Sequence, residues 1–169
     1  MGEHRTAVAP DYDTDFFAWT QHQAKLLRAL NGQRSDLPET LDIDHVAEEI
    51  EDLGKAEVNA AKNLIRQILL HLIKAASDPE SPALSHWRAE ATNFNVALPD
   101  RYAPSMRQLI EMQKLWQGAR KAAAASLRGH GARLAADLPE ECPFSLDEII
   151  SQDFDFDDSL RRLLGTGAN

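Results

Sequence analysis

Four polar side chains fall on helix stripes that are otherwise apolar, and they are the first place to look for chemistry. At about 100° per residue, Glu57 lies near the centre of the stripe on the second helix, Gln23 on that of the first, and Gln113 and Arg120 on that of the fourth. A charge taken out of water is costly unless it is paired and hydrogen-bonded. The spacing therefore predicts an internal network in which Glu57 meets Arg120, with Gln23, Gln113 and the indole N–H of Trp19 nearby. Such a network either fixes helix register or lines a ligand pocket between helices. His71 sits at the edge of the second stripe beside Leu64, Ile68 and Leu72. If the second and third helices are antiparallel neighbours, Lys74, Trp87 and Arg88 approach it, and the four form a cleft suited to a small anion. A partly buried histidine with one hydrogen bond is the plainer reading of His71, since a general base needs a convergent partner.

Metal chemistry has thinner support. His45 and Glu49 are an i, i+4 pair within the acidic run Asp44, Glu48, Glu49, Glu51, Asp52, which otherwise reads as a solvated first turn favoured by the helix dipole. Di-iron bundles need Glu-x-x-His on two helices, and the nearest form here, Asp42-Ile43-Asp44-His45, occurs once. Cys142 lies beside Glu140 and Glu141, the wrong surroundings for a reactive thiolate, and reads as a packed turn residue. No phosphate-cradling Gly-rich loop, no HExxH and no GxSxG is present. No cofactor is implied.

These residues are positioned by helices throughout, and no segment alternates with period two. The first helix is expected from about Asp15 to Leu30, capped by Asp13 or Thr14 and stopped by Asn31-Gly32. Its inward stripe is Tyr12, Phe16, Trp19, Gln23, Leu26, Leu27 and Leu30. The second, capped by Asp42 or Asp44, runs to about Ala76. It turns Ile43, Val46, Ile50, Leu53, Ala61, Leu64, Ile68 and Leu72 inward, with Gly54 marking a bend or a close contact. The third spans about Ala83 to Leu98 and buries Leu84, Trp87, Ala91, Phe94 and Leu98. The fourth spans about Ser105 to Arg128 and buries Met106, Leu109, Ile110, Trp116, Ala123 and Leu127. A short piece follows at Ala132 to Asp137. The capping box Ser145-Leu146-Asp147-Glu148 opens another to Ser151, and loosely held turns end the chain at Asp158 to Leu164. The fold class is all-α, an up-and-down bundle of four main helices with a short helical C-terminal extension. Residues 1–10 read as a disordered leader, 11–155 as a single helical-bundle domain and 156–169 as a loosely ordered tail. Gly2 with Thr6 fits the myristoylation pattern, which is short and unspecific.

The chain has 169 residues, with 27 acidic and 18 basic side chains and a net charge of −9. That argues against nucleic-acid and anionic-membrane binding, both of which need cationic surface. One cysteine excludes a disulfide framework and any Cys-based metal cluster, so a reducing cytoplasm is the expected compartment. The best apolar run, Leu64 to Ala76, is broken by Arg66, Gln67, His71 and Lys74, short of the roughly 20 apolar residues that span a bilayer. Charge is segmental: residues 1–54 carry 12 acids and 4 bases, 55–133 carry 6 acids and 12 bases, and 134–169 carry 9 acids and 2 bases. Either the acidic ends lie on a basic middle, or an acidic surface is offered to a basic partner. The stretch Asp153-Phe154-Asp155-Phe156-Asp157-Asp158 suits a docking segment, or a tail folded onto that middle.

Taken in order, several segments resemble a bacterial family catalogued as domain of unknown function 29. They are Tyr12-Asp13-Thr14-Asp15-Phe16-Phe17-Ala18-Trp19, Glu48-Glu49-Ile50-Glu51-Asp52-Leu53-Gly54, His71-Leu72-Ile73-Lys74, Ser85-His86-Trp87-Arg88, Pro104-Ser105, Ala119-Arg120 and Leu138-Pro139-Glu140-Glu141-Cys142-Pro143-Phe144-Ser145-Leu146. The likeness covers about residues 11–155. It departs from the pattern in a longer loop from Gly32 to Thr40 and in His86, which interrupts a Ser-Trp pair. It implies an α-helical fold and no activity.

The function expected from these features is that of a cytoplasmic, non-enzymatic helical interaction protein acting through an acidic or homo-oligomeric surface, with a protein partner or self-association. The alternative is a small-molecule or metal-binding helical bundle, enzymes included, that uses an inter-helix polar pocket. A third reading is an acidic mimic that competes with nucleic acid for a basic protein.

Overall fold

A computed structural model describes residues 9–34 and 36–165. Among these residues the chain is all-helical, with six α-helices, two short 3-10 stretches and no strand. The α-helices are α1 (Phe16–Gln33), α2 (Ile43–Ser77), α3 (Leu84–Ala97), α4 (Met112–Arg128), α5 (Leu146–Ile150) and α6 (Phe156–Leu163). The described residues fall into two compact units, those within 1–59 and 102–108 and those within 60–101 and 109–169. The eight leading residues, Gly2 and Thr6 among them, lie outside the described part.

The first unit is an antiparallel helix pair. Asp15, rather than Asp13 or Thr14, caps α1: its carboxylate accepts from Ala18 N at 2.9 Å, and the Ser105 hydroxyl donates to the same oxygen at 2.6 Å. The helix passes through Asn31-Gly32 because nothing there breaks its hydrogen bonding, and Arg34 N still reaches Leu30 O at 3.1 Å. Asp42 starts α2 by accepting from His45 N at 3.2 Å. The two helices meet through small residues. Thr20 and Ala24 are the buried positions of α1, and Ala47, Gly54 and Val58 are buried on α2. Gly54 marks a close contact: a Cβ there would collide with Thr20 Oγ1 and stand 3.2 Å from the Phe17 ring. Farther along, Arg28 makes a bidentate ion pair with Glu51 at 2.5 and 3.1 Å, and Asn31 donates to Asp44 at 3.2 Å.

The second unit holds the larger core. Ile65, Ile68, Leu69, Leu72 and Ile73 on α2 are fully buried with Leu98, Trp116 and Ile149. Of the expected third stripe, Trp87, Ala91 and Leu98 are buried, while Leu84 and Phe94 are half-buried. Asn95, buried on α3, donates to Ile149 O at 2.8 Å and Ser151 O at 3.0 Å and so ties down the end of α5. The expected capping box opens α5, with Ser145 N to Glu148 at 2.7 Å and Glu148 N to Ser145 Oγ at 3.3 Å.

Three expectations need correction here. The helix read from Ser105 begins at Met112, because Pro104–Leu109 winds as a 3-10 stretch and Ile110-Glu111 break the ladder. Residues 132–137 are not helical: Ala135 N is satisfied by Ser77 Oγ at 3.1 Å, a side-chain substitute for a helical bond. The terminal helical turns read from Asp158 start two residues earlier, as α6, and run to Leu163. This helix is capped by Asp155 accepting from Asp158 N at 2.8 Å, and it buries Phe156, Leu160 and Leu163 at i, i+4 and i+7.

Candidate functional site

The polar residues of α4 read as buried network members have partners of a different kind. Arg120 Nη1 donates to Pro139 O at 3.1 Å, and Trp116 Nε1 donates to the same oxygen at 3.0 Å. Gln113 and Gln117 both donate to Glu140 O, at 3.1 and 2.7 Å, and Gln113 Oε1 accepts from Cys142 N at 2.7 Å. These side chains recur every three or four residues along one helix face and hold an extended loop by its main chain. The sequence reading found Gln113 and Arg120 but missed Gln117, whose one signal was its i+4 spacing from Gln113. Cys142 is half-buried, with its thiol donating to Phe144 O at 3.3 Å, and burial pushes its pKa up. Its role as a packed turn residue follows.

Glu57, Gln23 and Trp19 belong to the first unit. All three are half-buried. The Trp19 ring stacks on Phe16 with centroids 5.9 Å apart and meets Tyr12 edge-on at 4.8 Å. His45 is exposed and its Nδ1 lies 2.5 Å from Asp42, while Glu49 is exposed a turn away. Among the described residues no group of three or more His, Cys, Asp and Glu is placed to hold a metal.

Of the four residues expected to form a cleft between α2 and α3, Lys74 and Trp87 come together and His71 packs against Phe94. Lys74 Nζ stands 4.5 Å from the centre of the Trp87 ring, and His71 stacks on Phe94 with centroids 5.9 Å apart. His71 is only 9% exposed, and its Nδ1 is buried with no hydrogen-bond partner. Burial, with Lys74 beside it, pushes its pKa down to about 4, against the opposing pull of Glu90. Burial also lowers the pKa of Lys74. Neutral imidazole is thus the resting form. Arg88 is not part of this group: its guanidinium turns to Asp157 on α6, at 2.7 and 3.0 Å.

The acidic C-terminal segment folds onto its own unit. Besides the Arg88–Asp157 pair, Arg162 reaches Glu148 at 2.5 Å and stands 5.4 Å over the Phe144 ring. In the open hollow of about 300 Å³ lined by Phe144, Phe154 and Arg162 among others, Glu148 is engaged with Ser145 and Arg162, and Asp158 with Arg161.

The feature the sequence reading turned inside out is on the first unit. Leu26 and Leu30 on α1 are 49% and 39% exposed, and Val46 and Leu53 on α2 are 43% and 57% exposed. The apolar spacing predicts all four inward. Taking about 100° per residue, Leu26 and Leu30 lie roughly 80–120° round α1 from Thr20, on the side away from Arg28. Val46 and Leu53 lie roughly 80–100° round α2 from Gly54, on the side away from Glu51. Arg28 and Glu51 meet along one edge of this antiparallel pair. The opposite edge therefore carries all four apolar side chains together.

A family model described as domain of unknown function DUF29 matches residues 12–155. The chain belongs to this family. A crystal structure at 1.45 Å of an alpha-helical protein of unknown function from Rhodospirillum rubrum superposes with a TM-score of 0.87 at 39% identity, covering 91% of this chain and 98% of that one. A comparison with curated proteins finds no match. The DUF29 match takes in the α4 side chains, the loop they hold, the His71 cleft and the exposed apolar edge alike. No helix among the described residues of this DUF29 chain is long and apolar enough to cross a membrane.

Proposed function

We propose that this DUF29 chain is a non-enzymatic interaction protein and that the exposed edge of the α1–α2 pair is its contact surface. The observation that carries this reading is Leu26, Leu30, Val46 and Leu53 lying in solvent on one edge. Contiguous apolar surface of this kind is characteristic of interaction sites, whereas apolar side chains scattered singly are ordinary. The surrounding segment is the acidic one, with 12 acids and 4 bases over residues 1–54. The C-terminal acidic segment is a poorer candidate, because Phe156 is buried and Asp155, Asp157 and Asp158 are engaged within its own unit. In-cell photo-crosslinking tests the reading, with the crosslinker placed at Leu53 and, as a control, at Val96, an exposed position of the second unit. A discrete adduct from position 53 that position 96 does not give supports it. Identical patterns from both positions refute it.

One observation favours a second reading, a small-molecule site at the α2–α3 cleft: the orphaned His71 Nδ1 beside the Lys74 ammonium. Native mass spectrometry of gently purified protein tests it. Retained mass that His71→Ala loses would establish a ligand, and a bare chain would dismiss it.

A further inference from the structure

We infer that the partner surface is a basic amphipathic helix laid along the apolar edge of the α1–α2 pair; this rests on the interaction reading above and names the chemistry of its partner. Val46 and Leu53 are seven residues apart, so the edge presents two helical turns, about 10 Å, of α2, with Leu26 and Leu30 one turn apart beside them. An amphipathic helix with anchors at i, i+3 or i+4, and i+7 matches that length and spacing.

Charge selects the sign of the partner. On the outer side of this edge lie two exposed carboxylates seven residues apart, Glu49 on α2 and Asp42 at its N-terminal end, the latter paired with His45. The α1 side of the same edge carries His22, Ala29 and Gln33 and no Lys or Arg, and Arg28 is committed to Glu51 on the opposite edge. A helix whose apolar stripe is flanked by Lys and Arg meets apolar surface in the middle and carboxylates along one rim. A second copy of this segment would bring like charge to that rim, and like-charge juxtaposition opposes association. An anionic membrane is disfavoured for the same reason.

The experiment uses the full chain and a synthetic helical peptide with Leu at i, i+3, i+4 and i+7 and Lys elsewhere. Its controls are a peptide of the same composition with Leu spread round the helix, and one with Glu in place of Lys. Fluorescence anisotropy reports binding at low and high salt, and sedimentation reports the oligomeric state. The expected result is saturable one-to-one binding of the Leu/Lys peptide that weakens with salt. It should weaken at least tenfold in Leu26→Ser/Leu53→Ser, and lose much of its salt dependence in Glu49→Lys. These positions are exposed, so an unchanged melting temperature confirms that the variants fold. Equal binding of the spread-Leu control, or of the double variant, overturns the proposal. Equal binding of the Leu/Glu peptide overturns the basic partner and leaves the docking edge standing. A dimer that the double variant dissociates makes the occupant a second copy, which overturns the inference but not the interaction reading. No peptide binding, no dimer and no position-specific crosslink from Leu53 refute both.

Discussion

Gly54 and Thr20 share one volume: the Thr20 hydroxyl, which donates to Phe17 O at 2.7 Å, fills the space a side chain at Gly54 would need. The hydroxyl is fixed by that bond and fully buried, so it has nowhere to move. Gly54→Ala therefore forces the helices apart and should cost about 1–3 kcal/mol, the range for overpacking a tight contact. Helix propensity alone would make the same change favourable by up to about 1 kcal/mol, so the sign of the effect is diagnostic. Urea denaturation checks it, and Thr20→Ala should recover part of the loss in Gly54→Ala, giving a coupling between the two sites.

His71 predicts a pH dependence. Its pKa is about 4 in the folded protein, against about 6.5 for an unperturbed histidine. Between those values the unfolded chain binds more protons than the folded one. Stability is thus full above about pH 6.5 and declines as the pH falls toward 4, by up to about 3 kcal/mol. Burial is the largest cause of the shift; Lys74 on its own helix and His86 on α3 add to it, and Glu90 on α3 opposes it. Denaturation midpoints at pH 7.5 and pH 5 should differ more for the wild type than for His71→Leu, since carboxylates contribute equally to both. An equal difference would refute this assignment.

The C-terminal helix should separate packing from charge. Phe156 is buried, and Phe156→Ala should cost about 3 kcal/mol or more. Asp157, exposed and paired with Arg88, should lose under about 1 kcal/mol on change to Asn, because solvent screens the pair. Thermal melts of the two variants decide the matter. Comparable losses would mean that α6 is held by its ion pairs.

Asn95 makes two bonds to main-chain carbonyls from a buried position. Asn95→Leu leaves the carbonyls of Ile149 and Ser151 without that donor, and should cost about 1–3 kcal/mol despite the similar volume. Hydrogen exchange at α5 should rise in step with the loss.

Much of this was readable from residue order, and the failures have physical causes. The long period of α2 and the Ser145–Glu148 box were legible because each is a local pattern with a local meaning. The buried face of α1 was not. Hydrophobic periodicity seeks large apolar residues, whereas this helix buries Thr20 and Ala24 to allow close approach and leaves Leu26 and Leu30 outside. The same inversion hid the exposed edge at Val46 and Leu53. For α6, the apolar spacing of Phe156, Leu160 and Leu163 is interrupted by Asp157 and Asp158 and by Arg161 and Arg162, which makes the helix read as a loosely held end. In the candidate site, Gln113 and Arg120 stand out by their place on the α4 stripe, but Gln113 is exposed and Arg120 only half-buried. Their partners are main-chain carbonyls, which every residue carries and which no sequence pattern announces.

That last feature bears on how the chain tolerates change over generations. The loop from Pro139 to Cys142 is gripped through its peptide groups, by Gln113, Trp116, Gln117 and Arg120. The exposed side chains of Glu140 and Glu141 take no part in those bonds. Substitution at those two sites leaves the grip intact, whereas each of the four gripping residues is bound to its role by side-chain chemistry. Side-chain replacement at Glu140 and Glu141 should therefore disturb the loop far less than replacement on the helix face that holds it.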